Sequence, residues 1–495
     1  MPIDVAMVSL DPALVSDNQS IDAIQNTFEG LVASGEDSQI HPCLASSWEI
    51  SSDGATYTFH LLHGAFFQNG REFVADDVRK SFERACGKAL AAPLASDFLS
   101  DISGMAAYRN GKAKSISGIH VIDRYTVAIT IDTLRAYFLA KLALPVASIV
   151  ATEAIRDGVH IRSVEEMVGT GPFRIERYID GQLMVQKAFA RYHGGKPPLD
   201  EIDRPVMRDS AERLNAFKRH EIDMVPQLAR SDYVALRNDP AFKDQLHLEP
   251  RATLVYLALN VKDFPDRRVR QAIAIGIDRE EIASDTLYGT VTPGRGLLPP
   301  GVPGYREEPA WLKPDAVKAE ALLSASGHSN GVGVPEIPIA FSMENPDIER
   351  IAERIGAQLA SRLGLKVRLE KMETASLIAR QNGKQLQAEV TGWFADYLDP
   401  EDFLSVLLAS DATENHWNYA NTAFTFLCRE ADASGNDPQR LGFYARAEDI
   451  ALQDAVIIPI CYWKAPVLID SAVQGVRSDA SHFLPYTTVS LRRKK

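Results

Sequence analysis

Residues 345 to 369 restrict the fold of this chain more than any other stretch. Asn345-Pro346 supplies a helix N-cap followed by proline at the first helical position. Ile348, Ile351, Ile355, Leu359 and Leu363 then recur at helical spacing until Gly364 stops the run. Val367 and Leu369 begin a strand directly afterwards. A strand, helix and strand at this spacing form a βαβ unit, so the second half of the chain is expected to hold a largely parallel sheet. At 495 residues the chain also exceeds what one hydrophobic core can organise, which points to two large lobes or about three domains.

Around that unit, Leu254 to Val261 reads as an apolar strand, and Val269, Ala272, Ile273 and Gly276 as a helix. Asp278-Arg279-Glu280-Glu281 is a capping box opening a helix that Gly289 closes. Gly294 to Tyr305 is a Pro/Gly-rich loop. Val456 to Trp463 is a buried-type strand interrupted by Pro459, with Val467-Leu468-Ile469 as its continuation. In the first half, Asp17-Asn18-Gln19-Ser20 has N-cap character, and Ile21, Ile24, Phe28 and Leu31 follow at helical spacing. Such a polar helix start serves simple capping or offers N–H groups and amides to a ligand. Tyr57, Phe59 and Leu61 alternate with polar residues as a half-buried strand, and Asp76 and Asp77 open a helix faced by Val78, Phe82 and Ala85. Val127, Ile129 and Ile131 form a further strand, so residues 46–165 read as a small α+β unit. Gly169-Thr170-Gly171-Pro172-Phe173 is a turn before a strand; without a Lys or a third Gly it is a poor phosphate loop.

Composition excludes several classes. The formal net charge is −13, and the one basic cluster, Arg492-Arg493-Lys494-Lys495, is a short solvated tail, which argues against nucleic acid or an anionic membrane surface as partner. No run of about 18 apolar residues exists to span a membrane. The first residues lack the charged and apolar regions of a signal peptide, so the protein is expected either to be cytosolic or to have had a leader replaced by Met1. Cys43, Cys86, Cys428 and Cys461 are far apart, with no CxxC pair; they permit disulfides without requiring them, and no metal or cofactor is expected. His60 and His63 flank a strand end but lack a third ligand nearby. The sequence contains no nucleophile elbow, HExxH, Walker or dinucleotide motif, so no enzymatic activity is expected.

One stretch has the residue types of a binding site. Gly392-Trp393-Phe394-Ala395-Asp396-Tyr397-Leu398-Asp399-Pro400 puts aromatics beside an acid at the end of a strand-like run, and Asp399-Pro400 opens a helix continued by Phe403, Val406 and Leu407. Aromatics at a strand end serve as core, and an Asp there caps a helix; the same residues also give a ligand apolar surface and a charged handle.

Several stretches together resemble the bacterial extracellular solute-binding proteins of family 5, the peptide/nickel type. They are Leu10-Asp11-Pro12-Ala13, Phe28-Glu29-Gly30-Leu31-Val32, Leu44 to Glu49, Asp53 to Phe59, Asn69-Gly70 and Ala75-Asp76-Asp77-Val78. Further on are Ser81-Phe82-Glu83-Arg84, Gly169 to Phe173, Leu259-Asn260, Val269 to Ile273, Leu298-Pro299-Pro300-Gly301 to Tyr305, and the Trp393 to Asp396 motif. The resemblance covers nearly the whole chain in order. It implies an α/β fold: a two-lobed periplasmic-binding-protein clamp (type II, cluster C) with an extra small α+β domain, closing on its ligand. Lobe one would comprise residues 1–45, 166–249 and 466–495, the small domain 46–165, and lobe two 250–465, with crossing strands near Leu248–Arg251 and Tyr462–Pro466. The implied function is the substrate-binding component of an ABC importer, a monomer that passes a peptide or amine-bearing solute to membrane permease subunits. Asp396 would pair with the ligand's α-amino group, and the backbone at Trp393 and Phe394, next to Tyr397, would bond an extended ligand. Asn18, Gln19 and Ser20 correspond to a cleft-lining segment of lobe one, and position and chemistry add Arg251, Trp417 and Tyr419. The implied location is the periplasm, or the cell surface as a lipoprotein in a Gram-positive bacterium. Non-peptide solutes (an opine, an oligosaccharide, a metal chelate or haem) and a ligand-sensing regulator are the alternatives.

Overall fold

The computed structural model describes residues 1–492 except 5, 16, 309–312, 436 and 437, and except the side chains of residues 18 and 19. Most of the basic tail, residues 493–495, lies outside the described residues. The chain divides into two compact units, Met1–His247 with Ala465–Lys495, and Leu248–Lys464.

In the first unit, alternation sets the small sheet. Strands β1 (Ala45–Ile50), β2 (Thr56–Leu61), β3 (Ile119–Asp123) and β4 (Thr126–Thr130) are ordered β1-β2-β4-β3, all antiparallel. Tyr57, Phe59 and Leu61 face inward against Val127 and Ile129 and against Val78, Phe82 and Ala85 of the helix Ala75–Cys86. A second antiparallel sheet follows from β5 (Phe173–Ile179), β6 (Leu183–Ala188) and β7 (Glu201–Pro205).

The helix expected from Ile21 through Leu31 is shorter than its spacing suggested. Helix α1 (Asn18–Ile24), capped by the Asp17 carboxylate, ends because the Asn26 side chain donates to the Asp22 carbonyl, and Leu31 leads instead into a strand at Val32–Ser34. The backbone freed there meets the Gly169–Phe173 turn: Gly171 N donates to Thr27 O at 3.0 Å and Phe173 N to Asn26 O at 2.9 Å. Glycine is required in that turn. A Cβ on Gly169 would lie 2.0 Å from Thr27 O, and one on Gly171 2.7 Å from Asn26 O.

In the second unit the βαβ expectation is met. β9 (Ile337–Ser342), helix α3 (Pro346–Leu363) and β10 (Val367–Met372) follow one another with β9 and β10 parallel; Asn345 caps the helix and Gly364 ends it with φ +64°. The expectation of a largely parallel sheet is corrected to a mixed one. β8 (Leu246–Leu259), β11 (Ala388–Phe394) and β12 (Ile457–Ile469) complete the order β12-β8-β11-β9-β10, and β11 is antiparallel to β8 while parallel to β9. The boundaries between the units fall within β8 and β12, so one strand brings the chain into the unit and the other takes it out. Val255, Leu257, Leu259, Ala388 and Val390 bury one face of the sheet against α3 and against α2 (Arg267–Gly276). The helix opened by Asp278 is brief and passes into π-type bonding over Ile282–Thr286. Cys43, Cys86, Cys428 and Cys461 are free thiols. Among the described residues no helix is long and apolar enough to cross a membrane.

Because the obstacle at Gly169 is main chain, Gly169→Ala is expected to destabilise the protein by about 2 kcal/mol or more in urea unfolding, as overpacking into fixed backbone does. A change within about 0.5 kcal/mol, the usual range for harmless surface substitutions, would contradict the close approach.

Candidate functional site

β11 pairs with β8 through seven residues, from Ala388 opposite Leu259 to Phe394 opposite Thr253. β9 accompanies it only at Ala388 and Glu389. From Val390 to Phe394, then, β11 has a strand partner on one side alone among the described residues. Past the strand, Ala395 N donates to Ala252 O at 2.9 Å, which makes Arg251 and Asp396 the next positions along the ladder.

Period two gives β11 two faces. Ala388 and Val390 enter the core, whereas Glu389, Thr391 and Trp393 share the opposite face. Trp393 is half-buried, Phe394 is 54% exposed and Asp396 is exposed. Helix α4 (Pro400–Leu408) starts immediately afterwards, with Asp399 as its N-cap and Pro400 at its first position. Asp402, on its first turn and 1% exposed, accepts hydrogen bonds on Oδ2 from Trp393 Nε1 (3.0 Å) and from Asp396 N (3.2 Å).

The segment is rich in carboxyl groups. Asp399 is held by buried Arg440 at 2.6 Å, and Glu401 accepts from the Tyr397 hydroxyl. Burial, together with the Asp396 and Glu401 carboxylates, pushes the Asp402 acid well above the ordinary range, against the two hydrogen bonds that favour its ionised form. Farther back on β11, burial pushes Glu389 up to about 8, offset in part by a hydrogen bond with Thr391; its Oε2 has no hydrogen-bond partner.

The structure gathers some of the residues expected from sequence and separates others. Trp393 and Phe394 end β11, Asp396 lies two residues beyond it, and half-buried Arg251 stands on the neighbouring β8. Tyr397, Trp417 and Tyr419 are instead interior residues of the second unit, 5%, 1% and 5% exposed. The Tyr419 hydroxyl donates to Asp454 at 2.8 Å and its ring meets Phe424 edge-on. In the first unit, Ser20 is buried, its amide donating to Asp17 and its hydroxyl accepting from Val8 N at 3.2 Å. The side chains of Asn18 and Gln19 lie outside the described residues. Asp402 and Glu389 escaped the sequence reading. Asp402 looked like an ordinary acid in a first helical turn, and Glu389 interrupts an apolar run without any local signal. The His60 pair is an exposed contact with Glu49 at 3.6 Å, and no group of His, Cys, Asp and Glu among the described residues is arranged to hold a metal ion.

The two α/β units are joined through β8 and β12, and the second carries an aromatic–acidic strand end beside backbone with no second strand partner among the described residues. A family model, "Bacterial extracellular solute-binding proteins, family 5 Middle", matches residues 39–415, and the chain belongs to that family. It is 30% identical over 478 residues to heme-binding protein A of Haemophilus influenzae, covering 92% of this chain and 85% of that protein. It is 28% identical over 445 residues to the dipeptide-binding protein of Escherichia coli, covering 86% and 81%. Among solved structures, the ABC transporter-associated periplasmic binding protein DppA of Helicobacter pylori, in complex with the peptide STSA, superposes with a TM-score of 0.79 at 26% identity. That match covers 99% of this chain and 97% of the other. These relatives are binding proteins.

The raised affinity of Glu389 for its proton makes stability pH-dependent with a definite sign. The folded value, about 8, lies above the ordinary 4.5, so this stabilisation is fully present below about pH 4.5 and is lost as pH rises towards 8. Glu389→Gln removes the titration. Between about pH 5 and pH 8, wild type should lose about 1–3 kcal/mol relative to Glu389→Gln in urea unfolding. Parallel pH profiles for the two proteins would contradict the buried neutral acid.

Proposed function

We propose that the protein is the substrate-binding component of an ABC importer that takes up a peptide or amine-bearing peptide-like solute in the periplasm and delivers it to the permease subunits, without catalysis of its own. The observation that carries this reading is the one-sided stretch Val390–Phe394 running into exposed Asp396. An extended ligand adds to such a strand through main-chain hydrogen bonds, largely independent of its side chains. Trp393 and Phe394 supply aromatic surface beside that edge, and Asp396 takes the ammonium group at the ligand's end. An ammonium group leaving water needs such a partner, since an unpaired buried charge costs several kcal/mol. The acidic surroundings point the same way: Asp396, Asp399, Glu401 and Asp402 lie within seven positions, where Arg440 pairs with Asp399. Arg251 flanks the anchor, and the interior residues Tyr397, Trp417 and Tyr419 act through packing.

The name of the Haemophilus influenzae relative supplies a second reading, haem. The two are separated by offering the protein an equimolar pool of free-amine di- and tripeptides, the same pool N-acetylated, and haemin. Retention of free-amine peptides alone is expected, with Asp396→Ala weakening capture about thirtyfold or more, which is about 2 kcal/mol or above. Equal retention of the acetylated pool, or a Soret shift with haemin and no peptide capture, would contradict the proposal.

A further inference from the structure

We propose that Asp402 is a positioning residue for ligand capture, its Oδ2 being the shared acceptor that fixes the Trp393 indole and the Asp396 main chain where a ligand's ammonium group is received. This rests on the reading of Asp396 given above.

The geometry is not that of a helix cap. An acid at the third position of a helix ordinarily reaches back to the amide of the N-cap residue, here Asp399. The Asp399 amide is instead spent on Tyr397 O at 2.9 Å, while the Asp399 carboxylate caps the helix by accepting from Glu401 N at 2.9 Å. Relieved of capping, Asp402 reaches six and nine residues back, to Asp396 N and Trp393 Nε1, with both donors on one oxygen.

Those donors bracket the end of β11. The indole belongs to the last residue but one of the strand, and the amide to the first residue beyond its final bond to β8. After Ala395 the ladder no longer holds the main chain, so Asp402 sets where the Asp396 carboxylate starts from. The acceptor is anchored in turn: α4 packs on the helices Thr422–Asp432 and Pro438–Asp454, and Ser405 of α4 donates to buried Asp432 at 2.8 Å. A buried acceptor, tied down by its helix, therefore stands behind an exposed anchor, an arrangement that lowers the ordering cost of binding.

The role needs an acceptor oxygen and not a charge, which separates two substitutions. Asp402→Asn keeps an oxygen for both donors, whereas Asp402→Ala removes it. Each is compared with wild type by capture from the free-amine peptide pool and by the indole resonances in 1H–15N NMR, with Trp393→Phe assigning that of Trp393. Asp402→Asn should capture within about threefold of wild type and keep the Trp393 indole protected; Asp402→Ala should lose about tenfold or more and exchange that proton faster while retaining its circular dichroism. Capture by Asp402→Ala equal to wild type overturns the proposal, as does an equal loss in Asp402→Asn. If Asp402→Ala fails to fold, Asp402→Leu, which keeps the side-chain volume and removes the acceptor, takes its place under the same criteria. Wild type retaining no peptide would overturn the peptide reading and this proposal together. Loss in Asp396→Ala with none in Asp402→Ala would overturn the positioning role alone.

Discussion

The antiparallel pairing of β11 with β8 is the interaction on which the rest of the second unit depends. Seven consecutive residue pairs hold β11 in a register that sends Ala388 and Val390 into the core and turns Glu389, Thr391 and Trp393 to the other face. Because side chains alternate with period two, a slip of one residue would exchange those faces and bury the wrong set. β9 leaves β11 after Glu389, so the same register decides which backbone groups remain available beside Trp393 and Phe394. Core packing and the placement of Trp393 and Phe394 thus follow from one alignment of two strands.

Charge is the second constraint. Four carboxyl groups follow one another between Asp396 and Asp402, and the structure treats each differently. Arg440 neutralises Asp399, Tyr397 donates to Glu401, two N–H groups converge on Asp402, and Asp396 stays exposed. Repulsion between neighbouring carboxylates in a partly dry site is relieved when one of them holds its proton. Burial pushes the Asp402 acid upward in this group, whereas Asp396 is exposed.

Much of this was legible in the sequence because the signals were local. The N-cap at Asn345, the proline after it and the glycine stop at Gly364 each act within one turn, and the helix between them appears as read. The alternation at Tyr57, Phe59 and Leu61 depends only on which face is wet. Failures came where a distant backbone intervened. The helix after Asp17 stops at Ile24, where the Asn26 side chain takes the Asp22 carbonyl and the carbonyls of residues 26 and 27 accept from the Gly169–Phe173 turn, a distant partner that nothing near Phe28 announces. The sheet is mixed because the chain enters the unit on β8, a fact of connectivity invisible to the periodicity of either strand. At the site, Trp393, Phe394 and Asp396 were found together through the motif, whereas Asp402 was hidden by resembling a helix-start acid. Trp417 and Tyr419, named from position and chemistry, lie in the interior of the second unit.

On the proposed reading, β11 delivers one exposed carboxylate to a ligand's cationic end. Native mass spectrometry of the protein as purified, followed by release and fragmentation of whatever it retains, tests this most directly. A bound solute carrying a free amine is expected, present on wild type and depleted on Asp396→Asn. A retained solute without an amine, or equal occupancy of the two proteins, would contradict it.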